Sequence, residues 1–270
     1  MLKIVNIKKT FNPGTVNEVK ALQGISLEIE DGSFVCVLGT NGSGKSTLLN
    51  AVAGTFIIDE GSIILDNNDI TKWQEHKRAK LIGRVFQNPF SGTAPNMSIQ
   101  ENLALAIKRG KTRGIGWCLP KAIIDDFKNV VKPLNMGLEN RLENQIGKLS
   151  GGQRQALTLL MSTLLKPKLL LLDEHTAALD PKTASKVIDF TQQIINKDKL
   201  TTLMVTHSMQ QAVNLGDRII MMHQGKIAYD FKDEDKKRLK VNDLLKLFDE
   251  LRQKDHIDPT VANLIEEIYI

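Results

Sequence analysis

Residues 39–46, Gly39-Thr40-Asn41-Gly42-Ser43-Gly44-Lys45-Ser46, follow the pattern G-x-x-x-x-G-K-[ST]. Glycines in such a run let backbone N–H groups converge on phosphate oxygens, and a helix starting just after them turns its partial positive charge toward the same anion. Lys45 then has the reach to meet β and γ phosphates as a point charge. The Ser46 hydroxyl is suited to ligating Mg²⁺, and Thr47 adds a phosphate contact. A chance match anywhere in the chain is on the order of 0.01 at average residue usage, so the run is read as a phosphate site rather than a solvent loop. A second group, Asp173-Glu174, closes the apolar run Lys168 to Leu172. It places two carboxylates at the strand end where α/β sheets bind ligands. Asp173 suits Mg²⁺, directly or through a water, and Glu174 can polarise a water for in-line attack on a γ phosphate. Capping of the following helix is the alternative for this pair.

The elements that must hold these groups are also legible. Phe34 to Leu38 predicts a buried strand and Lys45 to Ala53 a helix that stops at Gly54, so the phosphate loop has strand before and helix after. Upstream, Leu2 to Ile7 and Ile25 to Ile29 are short β-rich runs, with turn signals at Pro13-Gly14 and Asp31-Gly32. They predict a small sheet feeding the core strand. Residues 98–165 read as mostly helical, with helices over Ile99 to Arg109, Lys121 to Val131 and Gln153 to Leu165. Lys168 to Leu172 and Thr201 to Val205 predict buried parallel strands, each followed by a helix, as in a doubly wound sheet. A hairpin is expected over Arg218 to Phe231, turning at Gln224-Gly225. After the charge-mixed stretch that opens at Lys232, an amphipathic helix spans about Val241 to Leu251. No motif recurs at a repeat period.

Composition narrows the classes. The 270 residues are 41% hydrophobic and 25% charged, which excludes a disordered or collagen-like chain and allows one large domain or two small ones. Net charge is 36 − 31 = +5, compatible with phosphates, nucleic acid or an acidic membrane surface. The longest span-like stretch, Gln155 to Leu165, holds 11 uncharged residues, well short of the roughly 20 a membrane helix needs. The N-terminus carries no apolar run with a cleavage site, so the cytoplasm is the expected compartment. Cys36 and Cys118 lie 118 − 36 = 82 positions apart, and Cys36 falls inside an apolar run, where a buried thiol is expected rather than a disulfide. The five histidines form no metal-binding spacing.

With these residues in view, the chain resembles the ATP-binding cassette (ABC) family over about residues 1 to 230. Leu149-Ser150-Gly151-Gly152-Gln153 is that family's signature sequence. Gln87 in Gly83-Arg84-Val85-Phe86-Gln87-Asn88-Pro89 matches its Q-loop, Ala178-Leu179-Asp180 its D-loop, and His207 after Leu203-Met204-Val205-Thr206 its switch histidine. The resemblance implies an α/β fold: a P-loop RecA-like core, an N-terminal antiparallel β subdomain, a helical signature-bearing insert and a C-terminal helical tail. The cassette would span residues 1–232, with the insert at about 90–160, and an extension would follow over 233–270. It further implies ATP and Mg²⁺ as bound groups. Lys45, Gln87, Glu174 and His207 would form the catalytic set, and Ser46, Gln87 and Asp173 the metal set. Nucleotide contacts would come from Phe11, residues 39–47, Ser150, Gly151, Gly152, Gln153 and Asp180. Phe11 stands where the family commonly stacks an aromatic on adenine, with packing of the first hairpin as the alternative. His175 departs from the family, which commonly has Pro there, and its effect is open at this stage.

The resemblance also implies a head-to-tail homodimer. Each ATP would lie between Lys45, Ser46, Asp173 and Glu174 of one copy and Ser150 with Gly152 of the other. A transporter subunit working with separate membrane permeases is the expected role, peripheral on the inner face of the membrane. A permease coupling helix would dock near Gln87 and the insert. The basic cluster Lys108, Arg109, Lys111 and Arg113 is either a lipid-facing patch or a solvated charge run. Ser91 to Pro95, Asp173 to Pro181 and Lys240 to Leu245 look like one bacterial importer branch. Its members serve an extracytoplasmic binding protein, and the suspected cargo is an aromatic amino acid such as tryptophan or tyrosine. Lipoprotein or drug export is the alternative. A non-transport ATPase on DNA or ribosomes is disfavoured by the absence of a long coiled coil or a second cassette, so no nucleic acid partner is expected.

Overall fold

The computed structural model describes residues 1–111 and 121–256. Arg113 and Cys118 lie outside them. Strands β1 (Leu2–Phe11) and β2 (Val19–Ile29) form a hairpin whose turn uses left-handed backbone at Asn12 and Gly14. The chain continues through β3 (Phe34–Gly39), α1 (Lys45–Ala53), β4 (Glu60–Leu65), β5 (Asn68–Asp69), α2 (Glu75–Arg78) and β6 (Ile82–Val85). The insert supplies α3 (Ile99–Ile107), α4 (Lys121–Val131), three short 3-10 turns between Lys132 and Lys148, and α5 (Gly151–Thr163). Then come β7 (Leu169–Asp173), α6 (Pro181–Asp198), β8 (Thr202–Val205), α7 (Met209–Leu215), β9 (Arg218–His223), β10 (Lys226–Phe231), α8 (Asp233–Arg238) and α9 (Val241–His256).

Two sheets organise these elements. One is antiparallel in the order β2-β1-β4-β5, and the other runs β10-β9-β3-β8-β7-β6, parallel from β9 to β6 with β10 antiparallel at its edge. The continuous apolar runs of β3 and β7 have a simple cause: both faces are covered. Val35, Val37, Leu169 and Leu171 point into a core shared with α1 and the antiparallel sheet. Phe34, Cys36, Leu38, Leu170 and Leu172 point into a second core shared with the insert, α6 and the tail. Helix α1 is thus held between the two sheets, and Arg78, itself 1% exposed, seals its far end by donating to Ala51 O at 2.7 Å and Val52 O at 2.8 Å.

The sequence pattern predicts the phosphate-loop strand and helix, the core strands and the 218–231 hairpin within a residue or two of their observed bounds. It understates β1 and β2, which extend to Phe11 and back to Val19. It does not reveal β4, β5, α2 or β6. In β6 the reason is Gly83, where a Cβ would meet Ser162 O at 2.6 Å, so close approach to the end of α5 displaces the usual strand composition. Cys36 is buried and free, and burial pushes its thiol pKa well up. The tail packs inward through Leu244 and Leu251.

Candidate active site

Strands β3, β8, β7 and β6 are neighbours and parallel, so their C-terminal ends share one edge. The loops leaving that edge carry residues 39–47, His207, Asp173-Glu174 and Gln87 in turn. Three of these side chains meet. Gln87 Nε2 donates to Glu174 Oε2 at 3.0 Å, and His207 Nε2 approaches Glu174 Oε1 at 2.7 Å. The carboxylate only accepts, so the imidazole carries its proton on Nε2. Glu174 is 10% exposed against 51% for His207, so the carboxylate is the sheltered member of the pair. A carboxylate offers about four lone-pair sites, and two protein donors leave capacity for a water. Glu174 sits at φ 44, a left-handed backbone that costs about 1–2 kcal/mol for a residue with a Cβ. Its N–H donates to Val205 O and its C=O accepts from Ala177 N, both at 2.9 Å, which holds the turn in that shape.

The phosphate loop is built for close approach. At Gly39 a Cβ would stand 2.4 Å from Met222 O, and at Gly44, with φ +97, 2.5 Å from Ala21 O. Gly225 of the β9–β10 turn donates to Ser43 O at 3.0 Å and braces the loop. Lys45 is buried, with Nζ donating to Gly39 O and Thr40 O at 2.9 Å each. Two of its three protons are thereby placed. Burial lowers its pKa, opposed by Glu174 and Asp173. Helix α1 begins at Gly44 without a side-chain cap, and Ser43 Oγ is buried without a hydrogen-bond partner. An uncapped helix start, an ammonium and an orphaned hydroxyl are a donor set that fits phosphate. Ser46 and Thr47 stand in the first turn of α1.

Asp173 lies next to this loop in charge terms. Its pKa is raised by burial and by Glu174, while Arg84 and Lys45 pull it down. Arg84 Nη2 is 3.8 Å from Asp173 Oδ2 and 2.5 Å from Asn50 Oδ1, and its guanidinium lies 4.5 Å from the Phe86 ring centroid. Sequence reasoning does not single out Arg84. The only hint is a cation inside a short apolar strand. An oxygen-rich pair such as Ser46 and Asp173 is chemically suited to Mg²⁺.

Other residues of interest lie apart from this cluster. Ser150 is the N-cap of α5, with a full capping box to Gln153, and Asp180 caps α6 through Thr183 N. The contact seen for the signature is with its own chain: a Cβ on Gly151 would meet Leu179, and one on Gly152 would stand 1.9 Å from Thr183 Cγ2. Gln155 Nε2 donates to Phe86 O at 3.0 Å, tying α5 to the strand that leads into Gln87. Phe11 packs edge-on against Phe56 at 5.4 Å with Lys9 over both rings, so it does pack locally, at the rim of the antiparallel sheet. His175 is buried and points away from the cluster. Its Nε2 donates at 3.1 Å to Thr191 Oγ1, which itself donates to Val187 O at 2.7 Å. Burial draws its pKa down to about 4, so the ring is neutral near pH 7. Arg109 is no freely solvated charge: Nη2 donates to Ser162 O at 2.9 Å, beside a cleft of about 720 Å³ also lined by Lys80, Arg84, Lys108 and Lys111.

The family model described as "ABC transporter" matches residues 22–177, more than half of the chain. The chain belongs to the ABC transporter family. This ABC transporter ATPase is 45% identical over 251 residues to a tyrosine transport ATP-binding protein of Clostridioides difficile, covering 92% of this chain and 99% of that one. It is 34% identical to the spermidine/putrescine import ATP-binding protein PotA of Haemophilus ducreyi, over 85% of this chain and 57% of the relative. Among solved structures it is similar to the dimeric cassette MJ0796 in a post-hydrolysis state bound to ADP and Pi. That match has a TM-score of 0.73 at 30% identity and covers 86% of this chain and 98% of that one. It is also similar to a nucleotide-free ABC transporter cassette, with a TM-score of 0.74 at 26% identity, covering 100% and 98%. As an ABC ATPase the chain binds and hydrolyses ATP.

Proposed function

We propose that this ABC ATPase energises uptake of an aromatic amino acid, tyrosine first and tryptophan second, as a head-to-tail pair of cassettes seated on membrane permease subunits. One observation carries the pairing. Lys45, Gln87, Glu174 and His207 gather on one sheet edge, while the signature residues Ser150 to Gln153, at the start of α5, lie against Leu179 and Thr183 around the start of α6. Each copy therefore holds two half-sites, and a twin completes them around the triphosphate. The dimeric form of the similar cassette MJ0796 supports this reading, and the tyrosine relative, matched over nearly its full length, supports the cargo.

In this reading Lys45 and the N–H groups of the phosphate loop bind the β and γ phosphates. Ser46 and Asp173, with Gln87, would hold Mg²⁺, which would neutralise charge on the phosphate oxygens. Glu174 orients the attacking water and accepts its proton on a carboxylate oxygen. His207, donating from Nε2, fixes that carboxylate. Gln87 links the same carboxylate to the segment that enters the insert. Ser150 and Gly152 of the twin present a helix N-terminus to the γ phosphate, and Gly151, Gln153 and Asp180 shape that face. Phe11 contributes a ring edge at the adenine end.

No described helix is long and apolar enough to cross a membrane. In this reading the pathway belongs to separate permease subunits, and this subunit sits peripherally on their inner face. The cleft lined by Lys80, Arg84, Lys108 and Arg109 is the docking place for a permease helix. An extracytoplasmic binding protein delivers the solute, and nucleic acid plays no part. The test is Glu174→Gln, which should retain ATP and run as a dimer in size-exclusion chromatography with turnover below about a hundredth of wild type. Turnover within a few-fold of wild type refutes Glu174 as base. For cargo, the copurifying binding protein is titrated with tyrosine and tryptophan, and heat from neither refutes the assignment.

A further inference from the structure

Two threonines flank the catalytic pair, Thr206 just before His207 and Thr176 two residues after Glu174, and both are buried. Their hydroxyls converge on one carboxamide from α7. Thr206 Oγ1 donates to Gln211 Oε1 at 3.0 Å, and Gln211 Nε2 donates to Thr176 Oγ1 at 3.2 Å. Thr206 Oγ1 accepts in turn from Ser208 N at 3.0 Å, which fixes its proton toward Gln211. Gln211 is itself placed by Ser208, whose Oγ accepts from Gln211 N at 3.2 Å at the start of α7.

The bridge sits where backbone pairing gives out. Between β7 and β8 the rung from Glu174 N to Val205 O is the last, and both strands have ended by that point. Beyond it, Gln211 spans the gap between the turn that carries Glu174 and the loop that carries His207. Their contact of 2.7 Å depends on how those two segments sit relative to each other. We infer that Gln211 is a positioning residue for ATP hydrolysis, its carboxamide locking the His207 loop to the Glu174 turn. The inference rests on the proposed role of Glu174 and adds a residue that acts through the two segments it joins.

The test measures ATPase kinetics and nucleotide affinity of the full-length chain with Mg²⁺ and ATP. Gln211→Leu removes both bonds and should lower kcat by roughly tenfold to a hundredfold, with KM and nucleotide affinity within about twofold of wild type, the signature of lost alignment. Gln211→Glu keeps an acceptor for Thr206, and the Thr176 hydroxyl can rotate to donate to it, so kcat should return to within about threefold. Thr176→Val severs the bridge on the Glu174 side alone with a side chain of equal shape, leaves the Thr206–Gln211 bond in place, and serves if Gln211→Leu fails to fold. A kcat within about twofold of wild type in the bridge-cutting variant overturns the inference. So does a joint change of kcat and KM that Gln211→Glu does not restore. Brisk turnover by Glu174→Gln sinks the underlying base assignment. A dead Glu174→Gln beside a fully active Gln211→Leu sinks the bridge alone.

Discussion

Replacing Arg78 with Met tests how the phosphate-loop helix is held. The guanidinium donates to four carbonyls: Ala51 O at 2.7 Å, Val52 O at 2.8 Å, Trp73 O at 2.8 Å and Thr71 O at 3.0 Å. Burial lowers its pKa to about 10, so it stays protonated at neutral pH and stabilises the negative end of the α1 dipole. Hydrogen bonds from a charged donor contribute about 1.5–3 kcal/mol each, so four give a gross of roughly 6–12 kcal/mol. Desolvating the cation offsets several kcal/mol of that. Methionine matches the stem but strands four carbonyl oxygens, and the expected net loss is about 3–5 kcal/mol. At about 2–4 °C per kcal/mol for a chain of this size, the melting midpoint should fall by roughly 6–20 °C. Circular dichroism melts of parent and Arg78→Met without nucleotide read this directly, with Arg78→Lys expected in between. A Met variant melting within about 2 °C of the parent contradicts the capping argument.

Two further outcomes follow from the site. Lys45→Ala should weaken ATP binding by about tenfold to a hundredfold, the size of one or two charge-assisted hydrogen bonds, and an equilibrium titration giving near-parental affinity contradicts the assignment. His175 is held neutral with a folded pKa of about 4, below the unfolded value of about 6.5. Between those pH values the unfolded chain binds the additional proton, so stability is intact above about 6.5 and falls as pH drops toward 4, by up to roughly 3 kcal/mol. Urea midpoints at pH 7 and pH 5 should therefore separate more in the parent than in His175→Asn, and equal separations contradict the account.

The phosphate loop was legible because its chemistry is local: glycines, a lysine and the 3.6-residue period of Lys45 to Ala53 lie in one short window. Strands β7 and β8 were legible because burial on both faces leaves an unbroken apolar run. Strand β6 was not, since Gly83 answers to Ser162 O across the interface with α5, and Arg84 answers to Asn50 and Asp173. The meeting of Gln87, Glu174 and His207 is a product of strand order, because the three are far apart in sequence and adjacent only through β6, β7 and β8. Family resemblance supplied their grouping, and spacing alone would not have. His175 shows the opposite case. It sits beside the catalytic carboxylate in sequence, yet its ring turns to Thr191 on α6. Gln211 has no sequence signal at all, since a glutamine on a short helix acquires meaning only from the two threonines it reaches.

The bare α-carbon at Gly152 lets the first turns of α5 and α6 press together, with Thr183 filling the space a methyl group would need. Any side chain larger than hydrogen at this position would have to push the two helix starts apart. Gly152→Ala is therefore expected to shift the signature turn away from α6, whose N-cap is Asp180.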